Sequence, residues 1–373
     1  MHKRLLILGT QGIPAEHGGF ETLAEELALH LVKKGWRVTV YCQEEWGRTV
    51  PYETMLGRVR RVHIPVKQKG VLGSMAFGFK SAAHASRTPA LALTLGYNNA
   101  FFSLLQRMRG KTNLFHMGDF AYKGQRYSAP VRNWLRLNER IACWLGHHLI
   151  VDNPETQRHF ESSQKNLSFI TNGALSITDA RTGEIRSLGL ESGHFSTVIA
   201  LPTPDHSLLE IVQAFSQSPR QHKLVVLGQL DDDNPYHQRV LASASNEVQF
   251  VGPIYDKAIV RALRYHSALY FHGHQNGGTS PSLVESLAAG TPVVAFDTPA
   301  NRWAVGQAGV FFNSQASCAA QIESLLADSS ARTEMKKAAR LQHAEHFTIE
   351  TMLATYEDLL TDFIPEPTDD DPA

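Results

Sequence analysis

Short apolar runs alternate with longer amphipathic segments along almost the whole chain, and this alternation constrains the fold more than any other feature. The runs have the length and apolar content of buried strands. Strand, helix and strand in repeated succession, with nearly continuous apolar strands, predict an α/β fold built from parallel sheets covered on both faces. The candidate strands are residues 4–9, 37–42, 59–66, 91–96, 113–117 and 148–152, followed by 195–201, 223–228, 248–252, 268–273, 292–296 and 309–312.

The clearest helix is predicted for residues 20–34. Phe20, Leu23, Leu27 and Leu31 recur there at helical spacing, and Gly35 stands where a helix would end. The strand pattern occurs twice, and a chain of 373 residues is long for a single core, so we expect two doubly wound domains. Residues 172–194 are polar, contain glycine and show little periodicity, which indicates a linker. The Pro- and Asp-rich residues 365–373 are expected to be a disordered tail.

Composition excludes several classes of function. The chain has 36 basic and 36 acidic side chains, and this balance gives no support to nucleic-acid binding. Its three cysteines are far apart, so neither a disulfide framework nor a zinc site is expected. We therefore expect a reducing, cytoplasmic location. No apolar run approaches the length of a transmembrane helix, and residues 71–87, apolar with a basic edge, are predicted as a core helix rather than a membrane-surface segment.

Two glycine-rich loops follow candidate strands, at the position where open parallel sheets bind ligands. In the first loop, residues 9–21, Gly18 and Gly19 directly precede a helix, so backbone amides can approach an anion there. The loop matches neither of the common phosphate-binding glycine motifs. A long strand-to-helix turn without a ligand is the alternative interpretation.

The second loop, residues 273–280, ends in Gly278, Thr279 and Ser280 and precedes another predicted helix. Thr279 or Ser280 is suited to cap that helix, and Pro281 is suited to its first position. Glu285 falls about one turn into the helix among small and apolar neighbours, where a buried carboxylate needs a strong partner. A ribose diol can donate two hydrogen bonds to one carboxylate, so the two loops together suggest a nucleotide-linked sugar. An exposed surface glutamate is the alternative.

Four segments resemble the family-4 glycosyltransferases of the two-domain GT-B type, and within them the bacterial subgroup related to polysaccharide rhamnosyltransferases. They are residues 9–42, 151–160 and 252–297, with Asn301 and Arg302. The resemblance spans roughly residues 4–360. It implies two Rossmann-like domains facing a cleft, a first domain at 1–175, a second at 190–345, and a helix within 346–364 that crosses back to the first domain.

The resemblance also implies a reaction and a set of roles. Such enzymes move a sugar from a nucleoside diphosphate, here UDP or dTDP, to an acceptor with retention of anomeric configuration, and no metal is expected. Glu285 matches the glutamate that holds the donor ribose. Gly18 and Gly19, and likewise Gly278, Thr279 and Ser280, match loops near the donor phosphates and sugar.

The chain departs from this family in two places. Ala200 and Leu201 stand where a Gly-Arg pair usually binds the donor diphosphate, and no Arg or Lys follows until Arg220. Residues 116–127 also differ from the subgroup's usual pattern. There His116 or Asp119 is a candidate to orient or deprotonate the acceptor hydroxyl, and the acceptor-side candidates that keep aromatic or basic character are Tyr122, Lys123 and Arg126. A variable loop beside the cleft is the alternative interpretation.

Three functions remain open at the level of sequence. The first is a hexosyl-type glycosyltransferase, with rhamnose as one candidate sugar, that extends a glycan or lipid-linked acceptor in surface polysaccharide synthesis at the inner face of the membrane. The second is a non-catalytic GT-B homologue that binds a glycan or pairs with an active glycosyltransferase. The third is a sugar-nucleotide epimerase of the same architecture, which the Glu285 loop disfavours.

Overall fold

The computed structural model describes residues 3–15, 18–45, 47–118, 120, 128–162, 166–276 and 279–364. The chain divides into two compact units. One comprises the chain up to Thr171 together with the segment from Glu350, and the other comprises Asn172–Ile349. Each unit has its own sheet and its own cores.

In the described part of the first unit, eight strands form one sheet in the order β3-β4-β2-β1-β5-β6-β7-β8. Their bounds are β1 Arg4–Leu8, β2 Arg37–Glu45, β3 Tyr52–Leu56, β4 Val59–Val66, β5 Leu91–Leu95, β6 Asn113–His116, β7 His148–Val151 and β8 Leu167–Phe169. The helices are α1 Gly19–Lys33, α2 Gly70–Ala85, α3 Leu104–Arg107, α4 Ala129–Leu145 and α5 Pro154–Glu161.

The second unit contains a six-stranded sheet, again within the described residues, in the order β11-β10-β9-β12-β13-β14. The strands are β9 Phe195–Ile199, β10 Lys223–Leu227, β11 Val248–Phe250, β12 Tyr270–His272, β13 Val293–Phe296 and β14 Gly309–Phe312. The helices are α6 Thr182–Arg186, α7 Leu208–Ser216, α8 Pro235–Ala242, α9 Lys257–His266, α10 Pro281–Ala288, α11 Pro299–Val305, α12 Gln315–Ala327 and α13 Ser329–His346. The last helix is α14, Ile349–Asp362, and its residues from Glu350 onward cluster with the first unit.

The α/β prediction is confirmed, and each of the twelve predicted strands is present within a few residues of its expected bounds. The predicted helix at 20–34 is α1, which buries Leu23, Leu27 and Leu31. Gly35 follows it with a φ of 85°, a conformation that favours glycine and ends the helix.

Two strands were not predicted. β3 pairs antiparallel with β4, so the first sheet is not wholly parallel. Gly57, with a φ of 57°, closes the tight turn between them, and the alternating exposure of β3 fits an edge strand with one solvated face. β8 is only three residues long and partly buried, so it produced no apolar run.

Residues 172–194, which were predicted as a linker, belong to the second unit in the structure. The amide of Ala174 donates to the carbonyl of Phe347 at 2.9 Å. Ile185 and Leu190 are 1% and 2% exposed and pack in a core with Phe195. These few apolar side chains pack a segment against the second unit, although its average polarity had suggested a linker.

Candidate functional site

The strand order of the second unit creates a crevice at one place. From β9 the chain proceeds outward to β10 and β11, whereas β12, β13 and β14 lie on the other side of β9. Neighbouring loops therefore leave the carboxyl ends of β9 and β12 in opposite directions, which is where open α/β sheets bind ligands. We call the residues following these two strands, 200–207 and 273–285, the switch site.

The two loops of the switch site are fastened together. The backbone N–H of Gln275 donates to the carbonyl of Asp205 at 2.9 Å, and the Ser207 hydroxyl donates to the carbonyl of Gly273 at 2.8 Å. A Cβ on Gly273 would lie 2.0 Å from the carbonyl oxygen of His206, so the two loops approach more closely than a residue with a side chain at position 273 would allow. Ser207 has a φ of 49° and is the only non-glycine residue with positive φ in the described part of the chain. Such backbone strain costs about 1–3 kcal/mol and is characteristic of functional loops.

The predicted helix after the second loop is α10, with Pro281 at its first position and Ser280 at its N-cap position. The Ser280 hydroxyl makes no capping hydrogen bond with any part of the chain that the structure describes. Thr279 is buried, and its carbonyl accepts a hydrogen bond from Asn172 at 2.5 Å. Gly278 lies outside the described residues.

Glu285 has a partner that the sequence did not reveal. Its Oε2 lies 2.5 Å from a terminal nitrogen of Arg264, on α9. The Arg264 side chain is 4% exposed, and its guanidinium also donates to the carbonyl of Ser282 and to the hydroxyl of Ser286, each at 2.9 Å. The Glu285 side chain is 38% exposed. A buried arginine thus orients a carboxylate that a ligand can still reach. In the sequence, Arg264 has the appearance of an ordinary surface arginine.

Three histidine rings stack beside these loops. The ring centroids of His206 and His274 are 3.8 Å apart, and those of His274 and His272 are 4.2 Å apart with the planes 13° from parallel. Burial lowers the pKa of His272 to about 3, and it lowers the pKa of His274 well below its usual value. His206 belongs to the loop after β9, which contains no arginine or lysine.

Leu201 is 55% exposed at the position where an arginine was expected. Arg302 is ion-paired with Asp297 at 2.5 Å, and this contact raises the Arg302 pKa. Among the described residues, no group of three or more His, Cys, Asp or Glu side chains could hold a metal ion.

The first unit has its own switch point, between β1 and β5, and the loop of Gly18 and Gly19 follows β1 there. Gly18 precedes α1 with a φ of 100°. The carboxylate of Glu21 folds back over this helix start, where it accepts hydrogen bonds from the backbone N–H of Gln11 at 2.8 Å and from the Thr10 hydroxyl at 3.1 Å. A Cβ on Gly18 would lie 2.1 Å from that carboxylate. The anion-favouring end of α1 therefore already holds one of the chain's own carboxylates.

His116 ends β6 and is 2% exposed, with its ring edge-to-face against Phe20 at 5.2 Å. Burial lowers its pKa to about 4, so the ring is neutral at pH 7. Its Nδ1 has no hydrogen-bond partner within the described ranges. A neutral imidazole with a buried, unpaired nitrogen can accept a hydrogen bond from an acceptor hydroxyl. The other candidates of this region, Asp119, Tyr122, Lys123 and Arg126, lie outside the described residues.

The structure thus groups the predicted site residues into two sets. Thr279, Ser280 and Glu285 lie together in the switch site, and Gly18, Gly19 and His116 lie at the carboxyl edge of the first sheet.

The two units of the chain are both Rossmann-like, and together they define the fold class, which is that of the GT-B glycosyltransferases. Residues 204–342, which include most of the switch site, match the family model of the glycosyl transferases group 1.

Solved structures show the same fold at low sequence identity. Sucrose-phosphate synthase from Thermosynechococcus elongatus aligns with a TM-score of 0.79 at 17% identity, over 97% of this chain and 99% of its own. Anabaena HepE, solved with UDP-glucose, gives 0.74 at 15% identity, over 97% and 100%. The trehalose-phosphate synthase of Burkholderia xenovorans, solved with glucose-6-phosphate, gives 0.72 at 10% identity, over 96% and 100%. Comparison with curated protein sequences finds no significant match.

Proposed function

We propose that the protein is a glycosyltransferase that takes its sugar from a nucleoside diphosphate bound at the switch site. The observation that carries this proposal is the Arg264–Glu285 pair, which presents a solvent-reachable carboxylate inside the segment that matches the glycosyl transferases group 1 model. The HepE complexes with UDP and UDP-glucose support UDP as the first donor to test, with dTDP as the alternative.

Each part of the site has a role in this proposal. Glu285 accepts hydrogen bonds from the ribose diol, while Thr279, Ser280 and Gly278 contact the phosphates and the sugar. His116 or Asp119 is the candidate to orient the acceptor hydroxyl, and Gly18 and Gly19 are candidates to contact the donor. The bond from the sugar's anomeric carbon to the diphosphate breaks, the acceptor oxygen forms the new bond with retained configuration, and the acceptor's proton passes to the departing diphosphate. No step needs a metal ion.

The finer assignment rests on the sequence resemblance. We propose a glycan or lipid-linked acceptor in surface polysaccharide synthesis, with rhamnose as the first deoxy sugar to test. No helix in the described residues is long and apolar enough to cross a membrane. Contact with a membrane surface would use the exposed apolar side of α2, where Leu72 is 68% exposed and Phe79 is 50% exposed. The buried side of the same helix, with Phe77 and Ala82, supports the core-helix interpretation.

A second candidate is a non-catalytic GT-B homologue that serves as a glycan-binding or partner subunit. Two observations favour it: Leu201 replaces a diphosphate-binding cation, and Glu21 occupies the start of α1. Charge-assisted contacts to phosphate contribute about 1.5–3 kcal/mol each, so their loss weakens donor binding by one to two orders of magnitude per contact.

Calorimetric titration with UDP and dTDP, followed by assays of UDP-glucose and dTDP-rhamnose hydrolysis, tests the proposal. Saturable binding of one nucleotide with slow donor hydrolysis supports the transferase. Leu201→Arg should then tighten binding by about tenfold, because it adds one charge-assisted contact. If neither nucleotide binds at millimolar concentration and Leu201→Arg changes nothing, the donor site has been lost and the partner-subunit function is favoured.

A further inference from the structure

Positive charge is concentrated in one stretch of the chain, although the chain as a whole is balanced. Residues 67–140 contain twelve of the 36 basic side chains but two of the 36 acidic ones, Asp119 and Glu139. Glu139 is 8% exposed and lies 3.1 Å from His159, so it contributes little negative charge at the surface. The surface that this stretch forms therefore has a net positive charge, which the overall composition does not show.

Many of these cations are exposed and have no carboxylate beside them. Within the described residues, no ion pair involves the exposed cations Lys67, Lys69, Lys80, Arg87, Arg107, Arg109 and Arg140. Lys80 donates to the carbonyl of Pro65 at 2.7 Å, and Arg109 donates to the hydroxyl of Ser86, so both contacts are with neutral groups. Positive charge that no carboxylate neutralises attracts an anionic partner.

The same part of the first unit carries a row of aromatic rings. The ring centroids of Phe79 on α2 and Phe102 are 5.6 Å apart, and those of Phe102 and Phe101 are 5.8 Å apart. Phe101 in turn lies 6.3 Å from Trp134 on α4. Both phenylalanines after α2 belong to the 3₁₀ turn Ala100–Ser103, so the row connects α2 to α4 across that turn. The two helices and the turn therefore form one continuous surface.

Helix α4 combines positive charge and apolar surface most clearly. Arg136, Leu137, Arg140 and Trp144 recur at helical spacing on its exposed side, while its opposite side packs in the core of the first unit. Leu137 is 49% exposed and Trp144 is 71% exposed. Arginine beside exposed aromatic and aliphatic side chains suits the headgroup region of a bilayer, because the headgroups are charged and the layer beneath them is apolar.

We propose that the exposed sides of α2, the 3₁₀ turn, α3 and α4, with the cations at their ends, form a docking face for an anionic lipid surface. Lipid headgroups supply the negative charge, and the exposed leucine, phenylalanine and tryptophan side chains enter the layer below. Nucleic acid would satisfy the charge but would leave these apolar side chains in water. The inference names the partner that holds a lipid-linked acceptor, and it rests on the proposed function for that acceptor alone.

The docking face borders the candidate acceptor side of the first unit. The amide of Gly96, just before the 3₁₀ turn, donates to the carbonyl of His116 at 2.8 Å. The amide of Phe101 donates to the side chain of Asn138 on α4 at 2.9 Å. The turn thus joins α4 to the carboxyl edge of the first sheet, where His116 is the candidate to orient an acceptor hydroxyl. Docking through this face brings that edge toward an acceptor anchored in the lipid.

Co-sedimentation of the full chain with lipid vesicles tests the docking face. We expect binding to vesicles of phosphatidylcholine and phosphatidylglycerol in equal parts, and binding weaker by about tenfold or more to phosphatidylcholine alone, because only the former are anionic. Raising the sodium chloride concentration from about 0.05 M to about 0.5 M should weaken binding to the anionic vesicles, since salt screens surface charge.

Two paired substitutions separate charge on this face from charge in general. Lys69→Gln with Arg140→Gln removes two cations from the docking face and should weaken vesicle binding about 25-fold, at about fivefold for each cation. Lys33→Gln with Arg58→Gln removes the same charge from exposed positions on α1 and between β3 and β4. This control pair should weaken vesicle binding by less than about threefold. The lipid and salt dependence of the wild type needs no variant, so the inference stays testable if a variant fails to fold.

A third pair distinguishes a lipid surface from other anions. Leu137→Ser with Trp144→Ser keeps every charge, so it should weaken vesicle binding but leave binding to single-stranded DNA unchanged. Three results would each overturn the inference: equal binding to neutral and anionic vesicles, equal losses for the two charge pairs, or tighter binding to single-stranded DNA than to anionic vesicles.

Titration with UDP and dTDP keeps the inference separate from the proposed function. Vesicle binding without nucleotide binding at millimolar concentration would leave the docking face in place and remove the proposed donor site. Nucleotide binding without vesicle binding would refute the docking face and leave the donor site in place.

Discussion

Replacing Glu285 with glutamine tests the organisation of the switch site most directly. The substitution removes the negative charge beside a guanidinium that is 4% exposed. Breaking a fully buried pair by removing one partner costs about 3–5 kcal/mol. Here the cost is smaller, because the Glu285 side chain is 38% exposed, glutamine can still accept a hydrogen bond, and Arg264 keeps its contacts to Ser282 and Ser286. We expect a loss of about 1–2 kcal/mol in the free energy of unfolding after this discount for solvent screening.

The control is Glu334→Gln, the same chemical change in the same unit. Glu334 pairs with Lys337 on the surface, and both side chains are 68% exposed. Such pairs contribute about 0–1 kcal/mol. Thermal unfolding at pH 7 should lower the midpoint of Glu285→Gln by about 2–8 °C, given about 2–4 °C per kcal/mol for a unit of this size. Equal midpoints for the two variants would refute the structural importance of the Arg264–Glu285 pair.

Ligand binding gives the second readout for the same variant. Losing a hydrogen bond between a charged carboxylate and the ribose costs about 1.5–3 kcal/mol, so UDP should bind about 10- to 100-fold more weakly to Glu285→Gln. The 2′,3′-dideoxy analogue of UDP should bind wild type and variant alike, because it lacks both hydroxyls. Equal losses for UDP and for the analogue would show that Glu285 does not contact the ribose.

Three further predictions concern other parts of the molecule. Stability should fall in acid because the pKa of His272, about 3 in the folded state, lies below the unfolded value of about 6.5, so protons bind the unfolded chain preferentially below that pH. Between pH 6.5 and pH 5, the free energy of unfolding of the wild type should fall by about 2 kcal/mol because of this residue alone. Urea unfolding should show a smaller fall over the same pH range for His272→Gln than for the exposed control His194→Gln. Gly273→Ala should destabilise the second unit by about 1–3 kcal/mol, since the added methyl group forces the two loops apart; unchanged stability would contradict the close approach of Gly273 to the carbonyl of His206. The double change Leu72→Ser and Phe79→Ser should reduce co-sedimentation with anionic vesicles without lowering the unfolding midpoint by more than about 2 °C, because both side chains are exposed, and equal sedimentation would exclude this side of α2 as a membrane contact.

The local features of the fold could be predicted from the sequence because they depend on neighbours in the chain. Apolar runs indicated the buried strands, and the spacing of Leu23, Leu27 and Leu31 indicated α1, since periodicity is a property of a single segment. Gly35 marked the end of that helix for the same reason. The β3 edge strand was not predicted, because its alternating, partly polar residues resemble an exposed loop when their pairing with β4 is not known.

The sequence predicted only part of the candidate site. Glycine content and position after a strand pointed to the loop before α10 and to Glu285. The partner of Glu285 lies on another helix, and Arg264 there reads as an ordinary surface arginine. Only packing shows that its guanidinium is buried and directed at the carboxylate.

The sequence alone therefore determined that this is an α/β protein of two units with mainly parallel sheets, because local hydrophobic periodicity dictates which segments become buried strands and helices. The tertiary structure alone decided that β9 lies beside β12, with β10 and β11 displaced to one side. That strand order brings His206 into contact with His274, although many residues separate them in the chain. Strand order depends on how helices pack on both faces of a sheet, a long-range choice that the pattern of apolar residues within each segment does not encode.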